Sequence, residues 1–219
     1  MLDLAHQVYL KKYGDERAAA NFSEIIRLLK EQPAFRIKKY RDADFQSAGV
    51  LLKLATSFKK GRDLKNPTVS ESPHDPAMCI VAESWFSVPN SRLTQFFDYH
   101  KQAMGIENII GTYLEAYIYE SLWSEGWIWC SGSIVNKVDF IKVSQGRFNQ
   151  FLQIKCRDNT ENSSSLEVRE GTEIDKWFRF FSKTGQTNWV SFPDSKGRLQ
   201  LSEEGFLNFL KKKLGRDRL

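Results

Sequence analysis

Cysteine and histidine are scarce and scattered in this chain, which leaves two kinds of chemistry without support. The three cysteines, Cys79, Cys130 and Cys156, form no CxxC pair, and His6, His74 and His100 stand at no ligand or catalytic spacing. Neither a disulfide framework nor a zinc centre is indicated, and reduced thiols are the simple expectation. Long apolar runs are missing as well: no stretch approaches the roughly 20 residues that span a bilayer. The opening Met1-Leu2-Asp3-Leu4-Ala5-His6 lacks the basic and apolar regions of a secretory signal. A cytoplasmic protein with no membrane association is expected.

What is present is enough for a continuous core: 219 residues, of which 41% are hydrophobic. The 32 Lys and Arg exceed the 27 Asp and Glu, giving a net charge of +5 that suits a polyanionic partner without demanding one. The expected organisation is a single domain over 1–219, with no internal repeat. Residues 1–60 read as a helical scaffold layer, because Ile25, Ile26, Leu28 and Leu29, then Phe45, Val50, Leu51, Leu52 and Leu54, recur at roughly helical spacing. Pro67, Pro73 and Pro76 among serines and asparagines predict a long loop over 61–77. Two helices are expected next, over about 92–104 and then from Gly105 to a stop at Gly126; Ile106, Ile109, Ile110, Tyr113, Leu114, Tyr117 and Ile118 form the stripe of the second.

The segment 127–143 is rich in β-branched and aromatic residues and predicts a strand, followed by a turn at Ser144-Gln145-Gly146 and a second strand over 147–156. Short helices are expected around 174–181 and 202–214, the latter capped by Ser202 and ending in Lys211-Lys212-Lys213. Trp123, Trp127, Trp129 and Trp177 are expected in the core.

Side chains alternate along a strand, so Leu152, Ile154 and Cys156 share one face while Phe151, Gln153 and Lys155 share the other. A three-residue loop would pair Val143 with Arg147, Ile141 with Asn149 and Asp139 with Phe151, bringing Asp139 to the side of Gln153 and Lys155. A carboxylate and an ammonium on an otherwise apolar face are costly unless they pair or hold a cation. Asp139, the Gln153 amide oxygen and the Ile154 carbonyl make an oxygen set that suits Mg²⁺. Lys155 beside it would orient or help deprotonate a water and offset charge on a phosphate. Glu115, at the edge of the helical stripe, is placed to add a second carboxylate as ligand or as a partner of a metal-bound water.

The run Val138-Asp139-Phe140-Ile141, followed by Leu152-Gln153-Ile154-Lys155-Cys156-Arg157-Asp158-Asn159-Thr160-Glu161-Asn162-Ser163-Ser164-Ser165, resembles the core block of the SinI-type family of type II restriction endonucleases. The likeness takes in Trp127-Ile128-Trp129-Cys130, Lys176-Trp177-Phe178-Arg179, the stretch 182–189 and Leu201-Ser202-Glu203-Glu204-Gly205-Phe206, covering the chain from Glu107 onward. It implies a PD-(D/E)xK nuclease fold: an α/β architecture in which a mixed sheet is flanked by helices, with the catalytic core and DNA-contacting segments over 105–219 behind the helical N-terminal part. It further implies a homodimer cutting double-stranded DNA at a short palindrome of the GGWCC kind, and a cognate DNA methyltransferase as genetic partner. Asp139 then matches the motif's metal-binding Asp, Gln153 its Asp or Glu, and Lys155 its Lys. Two departures stand out, since Lys137-Val138 replaces the proline-like position and Gln153 replaces an acid.

The chain leaving the second strand must face DNA in such an enzyme. Arg157 can fork onto guanine, Asp158 can accept from cytosine, Asn159 and Asn162 can read adenine, and Ser163, Ser164 and Ser165 can serve phosphate. Arg169, Lys183, Thr184, Gln186 and Asn188 form a second polar cluster with the same potential. A structure-selective repair or resolvase nuclease, or a DNA-binding protein that does not cleave, would fit the same fold.

Overall fold

A computed structural model describes residues 3–64, 68–69, 71, 73–158 and 174–215. Contacts divide the chain into two units, one of Met1–Asp63 with Leu114–Leu219 and one of Leu64–Tyr113. The division falls inside a single helix, and the second unit lies within the stretch expected to belong to one domain.

The larger unit begins with helices α1 (Leu4–Tyr13), α2 (Glu16–Glu31) and α3 (Ala48–Arg62). Asp3 and Asp15 start the first two by accepting the orphan N–H groups of His6 at 2.8 Å and Ala18 at 3.0 Å. Their inner faces meet in a ring cluster of Tyr9, Phe22 and Phe58, with centroids 5.5 to 5.7 Å apart. Ile25, Leu29, Leu54 and Phe58 of these helices pack in one cluster with Ile128, Ile141 and Phe151 of the sheet.

That sheet has four strands in the order β1 (Trp127–Trp129), β2 (Phe140–Ser144), β3 (Arg147–Arg157) and β4 (Ile174–Phe180). The first three are antiparallel, and β4 runs parallel to β3. The fold is thus a mixed sheet with helices, as the sequence suggested, with two corrections to its strands. The segment 127–143 is two paired strands rather than one, because the chain reverses between Cys130 and Asp139, where Gly132 and Lys137 take left-handed φ of 75° and 73°. Residues 174–180 are a strand, not a helix: Trp177 turns into the core while Ile174, Lys176 and Phe178 alternate with it, a period of two.

The hairpin register also differs from expectation. Gln145 and Gly146 both have positive φ, 50° and 71°, which makes a two-residue turn that pairs Ser144 with Arg147. An irregularity between Lys142 and Val143 then opposes Lys142 to Gln150 and Ile141 to Phe151. The shorter turn and the bulge each shift pairing by one residue. Together they shift it by two, so Ile141 keeps company with the odd-numbered residues of β3.

The opposite face carries Trp127, Phe140, Trp177 and Phe192 in edge-to-face contact. Trp127, Trp129 and Trp177 are buried as expected; Trp123 is exposed, with the Arg17 guanidinium 4.1 Å from its ring centre. Lys142 reaches the buried Asp194, which also starts the short helix α6 (Ser195–Gln200) by accepting from Gly197. The last helix, α7 (Glu203–Lys213), is capped by Ser202 as anticipated, and Lys213 at its basic end pairs with Glu120 at 2.7 Å.

The smaller unit contains α4 (Pro76–Phe86), started by Asp75 with Pro76 in the first turn. This helix was hidden at the end of the proline-rich stretch. The two helices expected around Gly105 are one, α5 (Leu93–Leu122), since a lone glycine costs a helix only about 1 kcal/mol. Gly126, with φ of 86°, ends the 3-10 turn that follows. Ala82, Leu93 and Phe97 form the unit's core, whereas Ile80, Trp85 and Phe86 are exposed.

One close approach fixes the site's surroundings. A Cβ on Gly61 of α3 would lie 2.0 Å from the Gly132 nitrogen, a main-chain atom that cannot swing away. Gly61→Ala should therefore cost about 3 kcal/mol or more in urea unfolding. Gly14→Ala, strained only by its left-handed φ in open space, should cost about 1 kcal/mol. Equal losses in the two variants would show that the α3 contact is softer than its geometry implies.

Candidate active site

The sheet face beneath the N-terminal helices changes character along β3 and β4. Phe151 stands opposite Ile174, and both belong to the apolar cluster under α1 to α3. The next pair on that face is Gln153 and Lys176, and the next is Lys155 and Phe178. Gln153 and Lys155 are half-buried and Lys176 is exposed. The polar groups begin where the apolar cover stops.

Asp139 enters this place just before β2 and is fixed by three hydrogen bonds. Its N–H donates to the Leu152 carbonyl at 2.9 Å, its carbonyl accepts from Cys130 N–H at 2.8 Å, and its Oδ2 accepts from Ile154 N–H at 2.7 Å. Lys137, two residues earlier, holds a left-handed φ of 73°. That conformation is uncommon for a residue with a side chain and aims the chain into the site at some cost.

Glu115 comes from α5. Its Oε2 accepts from the indole N–H of Trp129 at 2.6 Å, and the Trp129 carbonyl accepts from Arg62 at 3.2 Å. Trp129 is almost fully buried, so the carboxylate is held by a side chain with little freedom. Arg62 is wedged against the rings of Phe58 and Tyr119. Sequence alone assigns Trp129 to the core and Arg62 to nothing, because both join the site through tertiary contacts.

Asp139 and Lys155 are close enough to Glu115 to alter its proton affinity, and Lys155 is close enough to Asp139 to alter that carboxyl's. Burial, then the Asp139 charge, pushes the Glu115 carboxyl up to about 8, against the opposing pull of Trp129 and Lys155. Burial also raises the Asp139 carboxyl, opposed by the Ile154 N–H and by Lys155. One lysine faces two buried carboxylates, so negative potential is left over. Beside them, the Gln153 Oε1 is shut away from solvent with no hydrogen-bond partner among the described residues. Among those residues no group of three or more His, Cys, Asp and Glu side chains could hold an ion. The donor set that fits a cation here is instead two carboxylates and an amide oxygen, with the Ile154 carbonyl adjoining. All are hard oxygens, the chemistry of Mg²⁺ rather than of zinc.

Of the expected DNA contacts, Arg157, Lys183 and Thr184 are exposed, and Asp158 is half-buried with its Oδ1 accepting from Ser182 N–H at 2.9 Å. Gln186 is exposed in the same turn, its N–H donating to Thr184 Oγ1 at 3.3 Å. Asn188 is placed otherwise. It is buried, its side-chain amide donates to the Phe178 carbonyl at 3.1 Å, and its carbonyl accepts from the Trp177 indole at 3.0 Å. A side chain spent on the core in this way is not presented to a base. Asn159, Asn162, Ser163, Ser164, Ser165 and Arg169 lie outside the described residues.

A mixed sheet walled by helices, with two carboxylates, an amide and a lysine gathered at the end of its apolar cover, has the architecture of an α/β nuclease. The sequence model of the SinI restriction endonuclease family matches residues 6–216. The type II restriction enzyme Eco47I of Escherichia coli is 42% identical over 160 residues, covering 72% of this chain and 69% of that enzyme. The type II restriction enzyme SinI of Salmonella infantis is 42% identical over 158 residues, again 72% and 69% of the two chains. This chain belongs to the SinI restriction endonuclease family, and it is thereby an enzyme of the type II restriction class. No helix among the described residues is long and apolar enough to cross a membrane.

Proposed function

We propose that this enzyme hydrolyses phosphodiester bonds in both strands of double-stranded DNA at a short palindrome of the GGWCC kind, requires Mg²⁺, and leaves 5′-phosphate ends. The observation that carries the reading is the convergence of Glu115, Asp139 and Lys155 beside the unpartnered Gln153 Oε1. Asp139 and Glu115, with Gln153 and the Ile154 carbonyl, would hold the ion. When bound, a divalent cation supplies Lewis-acid polarisation of the phosphate and lowers the pKa of water.

The protein's own groups do the rest. The Ile154 N–H fixes one oxygen of Asp139 and the Trp129 indole fixes one oxygen of Glu115, so each carboxylate keeps its other oxygen for the site. The Lys155 ammonium orients the attacking water and offsets charge that develops on the phosphoryl oxygens. Gln153 substitutes a neutral ligand for an anionic one, which makes Glu115 the compensating charge. Arg157, Lys183 and Thr184 are proposed as contacts to DNA, mainly to its phosphates.

One such cluster per chain cuts one strand, so two-strand cleavage of a palindrome is served by a homodimer with two-fold symmetry. A host carrying this activity in its cytoplasm needs a methyltransferase that marks the same site. The test is incubation of purified protein with a sequenced plasmid and Mg²⁺, followed by end mapping. Discrete fragments with 5′-phosphate ends at a repeated short sequence are expected. Cutting confined to branched DNA, or discrete cutting unaffected by chelation of divalent ions, would overturn the reading.

A further inference from the structure

Helix α4 is short, apolar and almost without cover. Of its 11 residues, Ala82 alone is buried. A helix of this length is marginal in water by itself and draws most of its stability from packing an apolar face. Met78, Val81 and Trp85 recur at intervals of three and four and form one stripe, with Ile80 and Phe86 on either side. Trp85 is 83% exposed and Phe86 70%. Together with Phe96 of α5, these side chains present on the order of 800 Å² to solvent, the share that one partner gives to a standard interface. Monomers seldom leave so large an apolar area in water. Met78, Val81, Phe86, Phe96 and Phe97 also line an apolar groove of about 300 Å³. One face therefore carries both a projecting ring and a groove, as a two-fold contact requires, since the same patch must be complementary to itself.

We propose that a second copy of this chain covers α4, with Trp85 of each copy seated in the apolar groove of the other. The inference rests on the homodimeric reading of the enzyme and names the surface that makes the dimer. Charge argues against the other large partners such a face could meet. The unit Leu64–Tyr113 holds three Lys and Arg against five Asp and Glu, within a chain of net charge +5. An acidic unit repels a DNA duplex, and it lacks the basic flank that holds an apolar helix on an anionic bilayer. Aromatic residues and Met with few charges are the composition of an interface core, and a central Trp is the residue type that dominates its energy.

The experiment is sedimentation velocity on the full chain over a wide range of concentration, for the wild-type enzyme, Trp85→Glu and Val190→Glu. Val190 is also 83% exposed but lies outside this unit, so it controls for the loss of an exposed apolar group. The wild type and Val190→Glu should sediment as dimers, and Trp85→Glu should self-associate at least about 30-fold more weakly. Where the wild type linearises plasmid, Trp85→Glu should accumulate nicked circles, and two-strand cutting should return as its concentration rises. A second measurement needs no substitution: hydroxyl-radical oxidation of Trp85 and Met78 in the wild type should fall as the dimer forms. A dimeric wild type with Trp85 unprotected, or a Trp85→Glu chain that is as dimeric as the wild type, would overturn the surface. A wild type that stays monomeric while cutting both strands would overturn it too and leave the nuclease reading intact. Loss of the dimer in Trp85→Glu, with a wild type that fails to cut in Mg²⁺, would bear the surface out and remove the nuclease reading instead.

Discussion

Asp139→Asn should abolish cleavage and at the same time make the metal-free protein more stable. The asparagine retains an oxygen for the Ile154 N–H, so the hydrogen bond at 2.7 Å survives. What disappears is a buried negative charge whose proton affinity is raised by its own burial and which, after burial, raises that of Glu115. A carboxylate in that position opposes folding near neutral pH, because the unfolded chain ionises it freely in water. Its removal should raise the melting temperature of the metal-free protein, by about 2–4 °C for each kcal/mol recovered in a chain of this size. Loss of the proposed anionic ligand should lower Mg²⁺-supported cleavage by at least about 10³-fold, about 4 kcal/mol of activation energy. Lys155→Ala should lose about 10²–10³-fold, as expected for one preorganised cationic donor. Calorimetry and plasmid cleavage check the pair of effects. Wild-type cleavage by either variant, or a lower melting temperature for Asp139→Asn, would contradict the site's electrostatics.

The second large effect is a reversal of pH dependence by metal. In the metal-free protein, Glu115 keeps its proton up to about 8, whereas its ordinary value is 4.5. Below about 4.5 the carboxyl is protonated in folded and unfolded chains alike and costs nothing. Between these values the unfolded chain has released a proton that the folded chain still binds, so this group makes stability fall as pH rises. Above about 8 the penalty is complete. A cation binding here must displace that proton, so its apparent affinity should climb about tenfold per pH unit for each proton released, levelling off above pH 8. Melting curves with and without Mg²⁺ should diverge with rising pH, and Glu115→Gln should flatten both trends. A metal-induced shift that is constant from pH 6 to pH 9 would show that no proton is displaced.

The hairpin's two strands and their alternation were legible in the sequence because they depend on local rules, while its register was not. Period-two alternation set Gln153 and Lys155 on one face. The β4 strand was not legible. Its run Ile174-Asp175-Lys176-Trp177-Phe178-Arg179-Phe180 mixes charges with aromatics, and its partner β3 is reached only through a long connection. The alternation of Trp177 with Ile174, Lys176 and Phe178, rich in aromatic and β-branched residues, was the available signal. Reading it as helix removed Lys176 from the face that the sheet gives it. Asn188 failed differently: a polar residue between aromatic ones looks like surface in sequence, yet here it serves buried backbone groups. Trp129 and Arg62 declare themselves only in three dimensions.

The two-residue turn at Gln145-Gly146 and the bulge near Val143 carry a consequence for how such enzymes can diverge. Losing or gaining one residue in the turn reverses which side of β2 meets Gln153 and Lys155, unless the bulge is lost or gained with it. Either change alone separates the carboxylate from the lysine and leaves an inactive chain. Length variation in this hairpin should therefore be inherited in compensated pairs, and relatives with longer turns should lack the bulge or carry a second one.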